Sequence, residues 1–177
     1  LEELVKDPDW RVVRAAVQIT SERGGDGALQ ILTVALAHDH PRVRKQALSA
    51  LRKLGGSEAG QLAVGMLEDQ DRGVRAEAAR TVGDLNVSRG LAPLLKRLGQ
   101  EDHPEGLVAI IRALGALGDP SAVPELEKCS KGLLLGGSDL EVRLASFHSL
   151  HRVGSPQARR LLEAAQAVEG ILEVPST

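Results

Sequence analysis

One short join returns along the chain, and its spacing limits the fold more than any other feature. ALGALGDPSAVPEL, residues 113–126, reads as a helix end, a Gly-Asp-Pro stop and a new helix with a proline in its first turn. DHPRVRKQALSALRKLG (39–55) aligns with DHPEGLVAIIRALGALG (102–118), so that Asp39, His40 and Pro41 fall on Asp102, His103 and Pro104. Further copies are DRGVRAEAARTVGDLN (71–86), SDLEVRLASFHSLHRVG (138–154) and a less regular DWRVVRAAVQIT (9–20). The equivalent positions Val13, Val43, Val74, Gly106 and Val142 are 30, 31, 32 and 36 residues apart. That step is two helices and two turns, so the chain is an array of helix pairs.

Each unit has the same internal logic. Its first helix carries apolar residues at offsets 0, 4, 7, 8 and 11 from the marker, as in Val43, Ala47, Ala50, Leu51 and Leu54, which form one helical stripe. Gly55, Gly118 and Gly154 stand where that helix ends in a left-handed turn. The second helix has a stripe of its own, as in Ile31, Leu32, Val34, Ala35 and Leu36, and Pro93 and Pro124 sit near its start. Strand patterns are absent. A single pair cannot bury its apolar faces, so the expected fold is all-α: about eleven helices in about five pairs, stacked as a right-handed α-α superhelix over residues 1–177. Apolar residues are 42% of the chain, yet Trp10 and Phe147 are its only Phe, Trp or Tyr residues, so the core is made of Leu, Val, Ile and Ala. LEELVKD at the start resembles the tail of a second helix whose partner is missing, so the chain reads as an excerpt of a longer protein.

Asp-Pro-x-x-Val-Arg followed by Ala-Leu-Gly-x-Leu-Gly-Asp-Pro-x-Ala-Val-Pro-x-Leu resembles the HEAT repeat, an armadillo-like module, in the short variety named after phycobilin lyases. The resemblance implies that the Val-Arg helix lines the concave side and that its Arg bonds an Asp at the turn between units, forming a ladder. Arg14, Arg44, Arg75 and Arg143 match the Arg; Asp9, Asp39, Asp69 or Asp71, and Asp139 are the nearest acids. Gly106-Leu107 replaces Val-Arg in the fourth unit, so its rung is expected to be lost. The stretch from Pro124 to the fifth marker helix is longer by five residues than that from Pro93 to the fourth, within KCSKGLLLGGSD, where Leu133, Leu134 and Leu135 are read as an extra packed turn or a contact patch.

The residues offer no catalytic constellation. Cys129 is the single cysteine, which excludes an internal disulfide and a cysteine metal cluster, and it falls on the apolar stripe. His38, His40 and His103 follow the repeat and read as turn residues. His148 and His151 share a helix face, but no third metal ligand is visible. There is no His-Glu pair of the kind that HEAT-like di-iron hydroxylases use, and no Gly-x-Ser-x-Gly elbow. Ser57, Ser88, Ser121 and Ser155 read as helix caps. Catalytic, cofactor and metal sites are therefore expected to be absent.

Offset 6 of the Val-Arg helix holds Ile19, Ser49, Arg80, Arg112 and His148, and nearby positions add Lys45, Arg52 and His151. Stacking aligns Lys45, Ser49, Arg52, Arg80, Arg112, His148 and His151 into a partly basic concave stripe. The expected function is a non-catalytic, cytoplasmic protein-interaction scaffold that binds an acidic segment of a partner protein or of another domain of the same chain. Net charge −2 and the paucity of aromatics weigh against the nucleic-acid reading that HEAT-like DNA glycosylases suggest. A phycobilin-lyase-like enzyme subunit is the other alternative; a tetrapyrrole site calls for a roomy pocket where aromatic and polar groups converge, and the sequence shows neither. No apolar run approaches the roughly 20 residues that span a bilayer, so no membrane partner is expected.

Overall fold

The computed structural model describes residues 1–25, 27–132 and 140–169. Its ten α-helices are α1 (Trp10–Arg23), α2 (Ala28–Leu36), α3 (Pro41–Leu54), α4 (Ser57–Gly65), α5 (Arg72–Asp84), α6 (Leu91–Leu98), α7 (Pro104–Leu117), α8 (Val123–Ser130), α9 (Leu140–Val153) and α10 (Pro156–Glu169). Short 3-10 turns add to these at Leu4–Lys6, Met66–Glu68, Ser88–Gly90 and Pro120–Ala122. No strand occurs among the described residues, and none of their helices is long and apolar enough to cross a membrane. The Leu133–Leu135 segment and Asp139 lie outside the described residues.

The turns make the helices begin and end where they do. Asp9 accepts the Arg11 N–H at 2.9 Å, the His40 ring accepts that of Arg42 at 3.2 Å, and Asp71 accepts that of Val74 at 3.0 Å. Capping therefore falls mainly to this turn residue, not to the serines. Of the four named serines only Ser155 is seen accepting a backbone N–H, from Ala158 at 3.2 Å. Ser57 and Ser88 lie inside their helical turns, and Asp119 accepts the Ser121 N–H. Gly55, Gly118 and Gly154 close α3, α7 and α9 with φ of +73°, +67° and +60°.

The odd-numbered helices pack directly on one another in sequence, whereas α2, α4, α6 and α8 sit against odd-numbered helices. The more closely spaced layer is the inside of the curve, so the Val-Arg helices form the concave wall and the even-numbered helices fan out behind them. A helix flanked on three sides needs more than one stripe. Leu48, at offset 5, is fully buried, and α7 buries Leu107, Val108, Ala109, Ile110, Ile111, Ala113 and Leu114. Offset 11 lies at the margin instead, with Leu54 41% exposed; Val34 of α2 is likewise 42% exposed.

Two glycines inside the last turns of α5 and α7 set the spacing of the last units. A Cβ on Gly83 would lie 2.8 Å from the Ala113 Cα, and one on Gly115 would lie 2.7 Å from the Ser149 Cα. Both are offset 9 of one helix facing offset 7 of the next, so α5, α7 and α9 meet backbone to backbone.

Candidate functional site

The inner helices position an internal ladder and an open concave face. Arg44, whose side chain is 6% exposed, grips Asp69 with Nε and Nη2, both at 2.7 Å. Its Nη1 donates to the His38 and Asp39 carbonyls at 2.8 and 2.7 Å. Arg75 repeats this on Glu101 at 2.8 and 2.9 Å and on the Asp69 and Gln70 carbonyls. Asp39 thus supplies a carbonyl, and the carboxylates come from Asp69 and Glu101. Asp9 is a helix cap. Arg143 donates to the Ser130 carbonyl at 3.1 Å. The expected rung partner Asp139 is outside the described residues.

The rung acid occupies a recognisable turn position, two residues before the cap. There Asp7, His38, Asp69 and Glu101 accept the N–H of residues 9, 40, 71 and 103. Glu101 is longer than Asp, and Gly106 makes the room: a Cβ there would lie 2.7 Å from the Glu101 carboxyl carbon. The change in the fourth unit therefore accommodates the rung that arrives from Arg75. Leu107, in the Arg position, is buried. The first unit differs in another way. His38 holds the turn but offers no carboxylate, and Arg14 has no hydrogen bond or ion pair among the described residues. It lies over the Trp10 ring at 5.6 Å, beside Arg11 at 5.5 Å and Arg42 at 5.4 Å, while the other partner of the indole is the His40 ring, stacked at 4.1 Å.

Five of the seven residues of the concave stripe are divided between two depressions, Arg80 and Arg112 in one and Lys45, Ser49 and Arg52 in the other. One, of about 390 Å³, lies between α5, α7 and α9 and is lined by Arg80, Arg112, Arg152, Asp84, Glu105 and Glu141, with small residues beneath. Its charges are matched. Arg80 bonds Glu105 at 2.9 Å and Glu77 at 3.2 Å, and Arg112 faces Glu141 at 4.0 Å. The hydrogen bond from Arg80, more than any other cause, holds the Glu105 carboxyl below its ordinary value. The other depression, also about 390 Å³, lies between α1, α3 and α5 and brings Arg14, Arg42, Lys45, Ser49 and Arg52 around one carboxylate, Glu77. Arg52 already pairs with Glu77 at 3.3 Å and Asp84 at 3.4 Å. His148 and His151 are exposed on α9 and line neither depression. No cluster of three or more His, Cys, Asp or Glu able to hold a metal occurs among the described residues. Cys129 is fully buried, and burial, helped by Glu125, pushes its thiol up to about 11.

A curved stack of helix pairs with an arginine–carboxylate ladder is the architecture that the repeat motif implies. The family profile of HEAT repeats matches residues 1–80 and again 61–132. This chain belongs to the HEAT-repeat family. Its repeats are of the short phycobilin-lyase type. The bilin biosynthesis protein PecF of Nostoc sp. (strain PCC 7120) is 28% identical over 150 residues, covering 80% of this chain and 87% of the relative. In the complex of CpcE and CpcF of phycocyanin lyase from Nostoc sp. PCC7120, a chain 22% identical superposes with a TM-score of 0.73 over 94% of this HEAT array and 69% of that chain. An engineered protein 20% identical superposes with a TM-score of 0.62 over 98% of this chain and 90% of its own.

These likenesses correct the functional expectation. A non-catalytic scaffold for an acidic partner segment, with no enzymatic role, is overturned by a relative that is a bilin biosynthesis protein along most of this HEAT array. The physical error lay in two places. Stacking neutralises most of the basic stripe, because Arg52, Arg80 and Arg112 each meet an acid. A lack of aromatic residues was also given more weight than the concave polar surface. The Trp10 cluster was missed because its members are 32 positions apart at the extremes, although Trp10 and His40 occupy corresponding turns of successive units.

Proposed function

We propose that the chain is a bilin-handling subunit of a lyase-type enzyme, holding an open-chain tetrapyrrole on its concave face and acting with a second HEAT-repeat subunit to deliver it to an acceptor protein. The observation that carries this reading is the likeness to a bilin biosynthesis protein over 80% of the chain. The chemistry of the concave face agrees with it. A bilin is a long conjugated ligand with two propionate side chains, and guanidinium groups match carboxylates with paired hydrogen bonds. The small-residue floor at Gly83, Ala109, Ala113 and Ala116 gives flat apolar surface beside Arg80, Arg112 and Arg152. Cys129 is unsuited to hold the pigment covalently, being buried and protonated at neutral pH. Covalent attachment to this chain's own cysteine is therefore not part of the reading, and the work of the chain is to bind, orient and release.

Visible spectroscopy tests the reading. A bilin free in solution interconverts between mirror-image coils, and a chiral site selects one of them. Adding the chain to biliverdin is expected to shift the visible absorbance and to induce a circular dichroism band that saturates at one pigment per chain. An unchanged spectrum with the chain alone, and again with a lyase-type partner subunit, overturns the proposal.

A further inference from the structure

The two concave depressions differ in charge, and the difference follows from the ladder. Between α5, α7 and α9 three arginines meet three carboxylates. Between α1, α3 and α5 four cations surround Glu77 alone, and Arg52 already pairs with it. Arg14, Arg42 and Lys45 remain, exposed and with no side-chain hydrogen bond or ion pair among the described residues. Arg14 is there because its unit carries His38 where the next two carry Asp69 and Glu101. With no rung to enter, its guanidinium lies out over Trp10, on the rim of the depression. Three cations with no hydrogen bond or ion pair among the described residues converge on one concavity and create a local field that attracts an anion, which Arg14 and Arg42 meet by giving up only their contact with the Trp10 ring.

From this geometry we infer that the depression formed by Arg14, Arg42 and Lys45 is a carboxylate-binding subsite, and that it anchors the propionate end of the tetrapyrrole. The inference rests on the bilin-handling reading above and adds to it the site and the group recognised. The matched depression between α5, α7 and α9 then meets the body of the ligand. Trp10 makes the subsite observable. It is the only tryptophan of a chain that has no tyrosine, and Arg14 and Arg42 lie within 5.6 Å of its ring. A carboxylate that draws the two guanidiniums away changes the surroundings of the indole.

The test is a titration of the chain with biliverdin and with its dimethyl ester, read by visible absorbance and by Trp10 fluorescence. Biliverdin is expected to change both signals, and the ester to bind about tenfold more weakly or worse. Arg14→Gln/Arg42→Gln is expected to weaken biliverdin binding to the level of the ester while leaving the thermal melt unchanged, since both side chains are exposed. His38→Asp supplies the missing rung acid and is expected to weaken binding with every cation still present. If biliverdin binds but the ester and the variants bind equally well, the subsite is wrong and the functional reading stands. If biliverdin binds to none of the proteins, both fall together.

Discussion

Arg75 and Glu101 form a nearly buried pair of charges, with side chains 12% and 0% exposed. Burial pushes the Glu101 carboxyl up, but the hydrogen bond and charge of Arg75, the charge of Arg97 and the His103 N–H together hold it below the ordinary value of 4.5. A carboxyl lowered in this way contributes stability that is complete above the unfolded value and is lost as pH falls through the folded one. The urea midpoint should therefore fall as pH drops below about 4.5, and Glu101→Gln should flatten that fall. Glu101→Ala strands a nearly buried guanidinium and is expected to cost about 3–5 kcal/mol at pH 7, measured by urea unfolding. Cys129 gives a second test. With its thiol near 11, only about one molecule in a thousand carries the thiolate at pH 8. A disulfide reagent is expected to label it at the rate of unfolding, and labelling within seconds in the folded protein would refute the burial.

At the scale of the helix, periodicity reads one face at a time. The stripe through Val43, Ala47, Ala50 and Leu51 was legible because those residues share an interface, and all four are buried. Leu48 was not, because it faces a neighbouring element that repeats at a distance of some 30 residues. Gly83 and Gly115 give no signal for the same reason, since a glycine needed for close approach has no signature in its own helix. The consequence is measurable. Gly115→Ala forces a methyl to within 2.7 Å of the Ser149 backbone and is expected to destabilise by about 1–3 kcal/mol. Gly65→Ala meets no atom within 4 Å at φ −60° and is expected to stabilise by about 0.5–1 kcal/mol. Thermal melts of the two variants should move in opposite directions.

Across the whole molecule, the stack, its marker positions and its repeat variety were written in the sequence, because each is fixed by local spacing. The state of the concave face was not. Whether an arginine is ladder, partnered wall or open cation depends on the turn residue one unit away, as Arg44, Arg80 and Arg14 show. Stability in such an array is close to a sum over units and their interfaces, so the face is held in shape by contacts that lie behind it. The central claim concerns what that face does, and the most direct measurement is the transfer of pigment. A bilin, an acceptor protein with a free cysteine and a second lyase-type subunit are mixed with and without this chain, and colour that survives denaturation is followed over time. The chain is predicted to raise the rate of covalent attachment about tenfold or more over the mixture that lacks it. Equal rates with and without the chain would contradict the account.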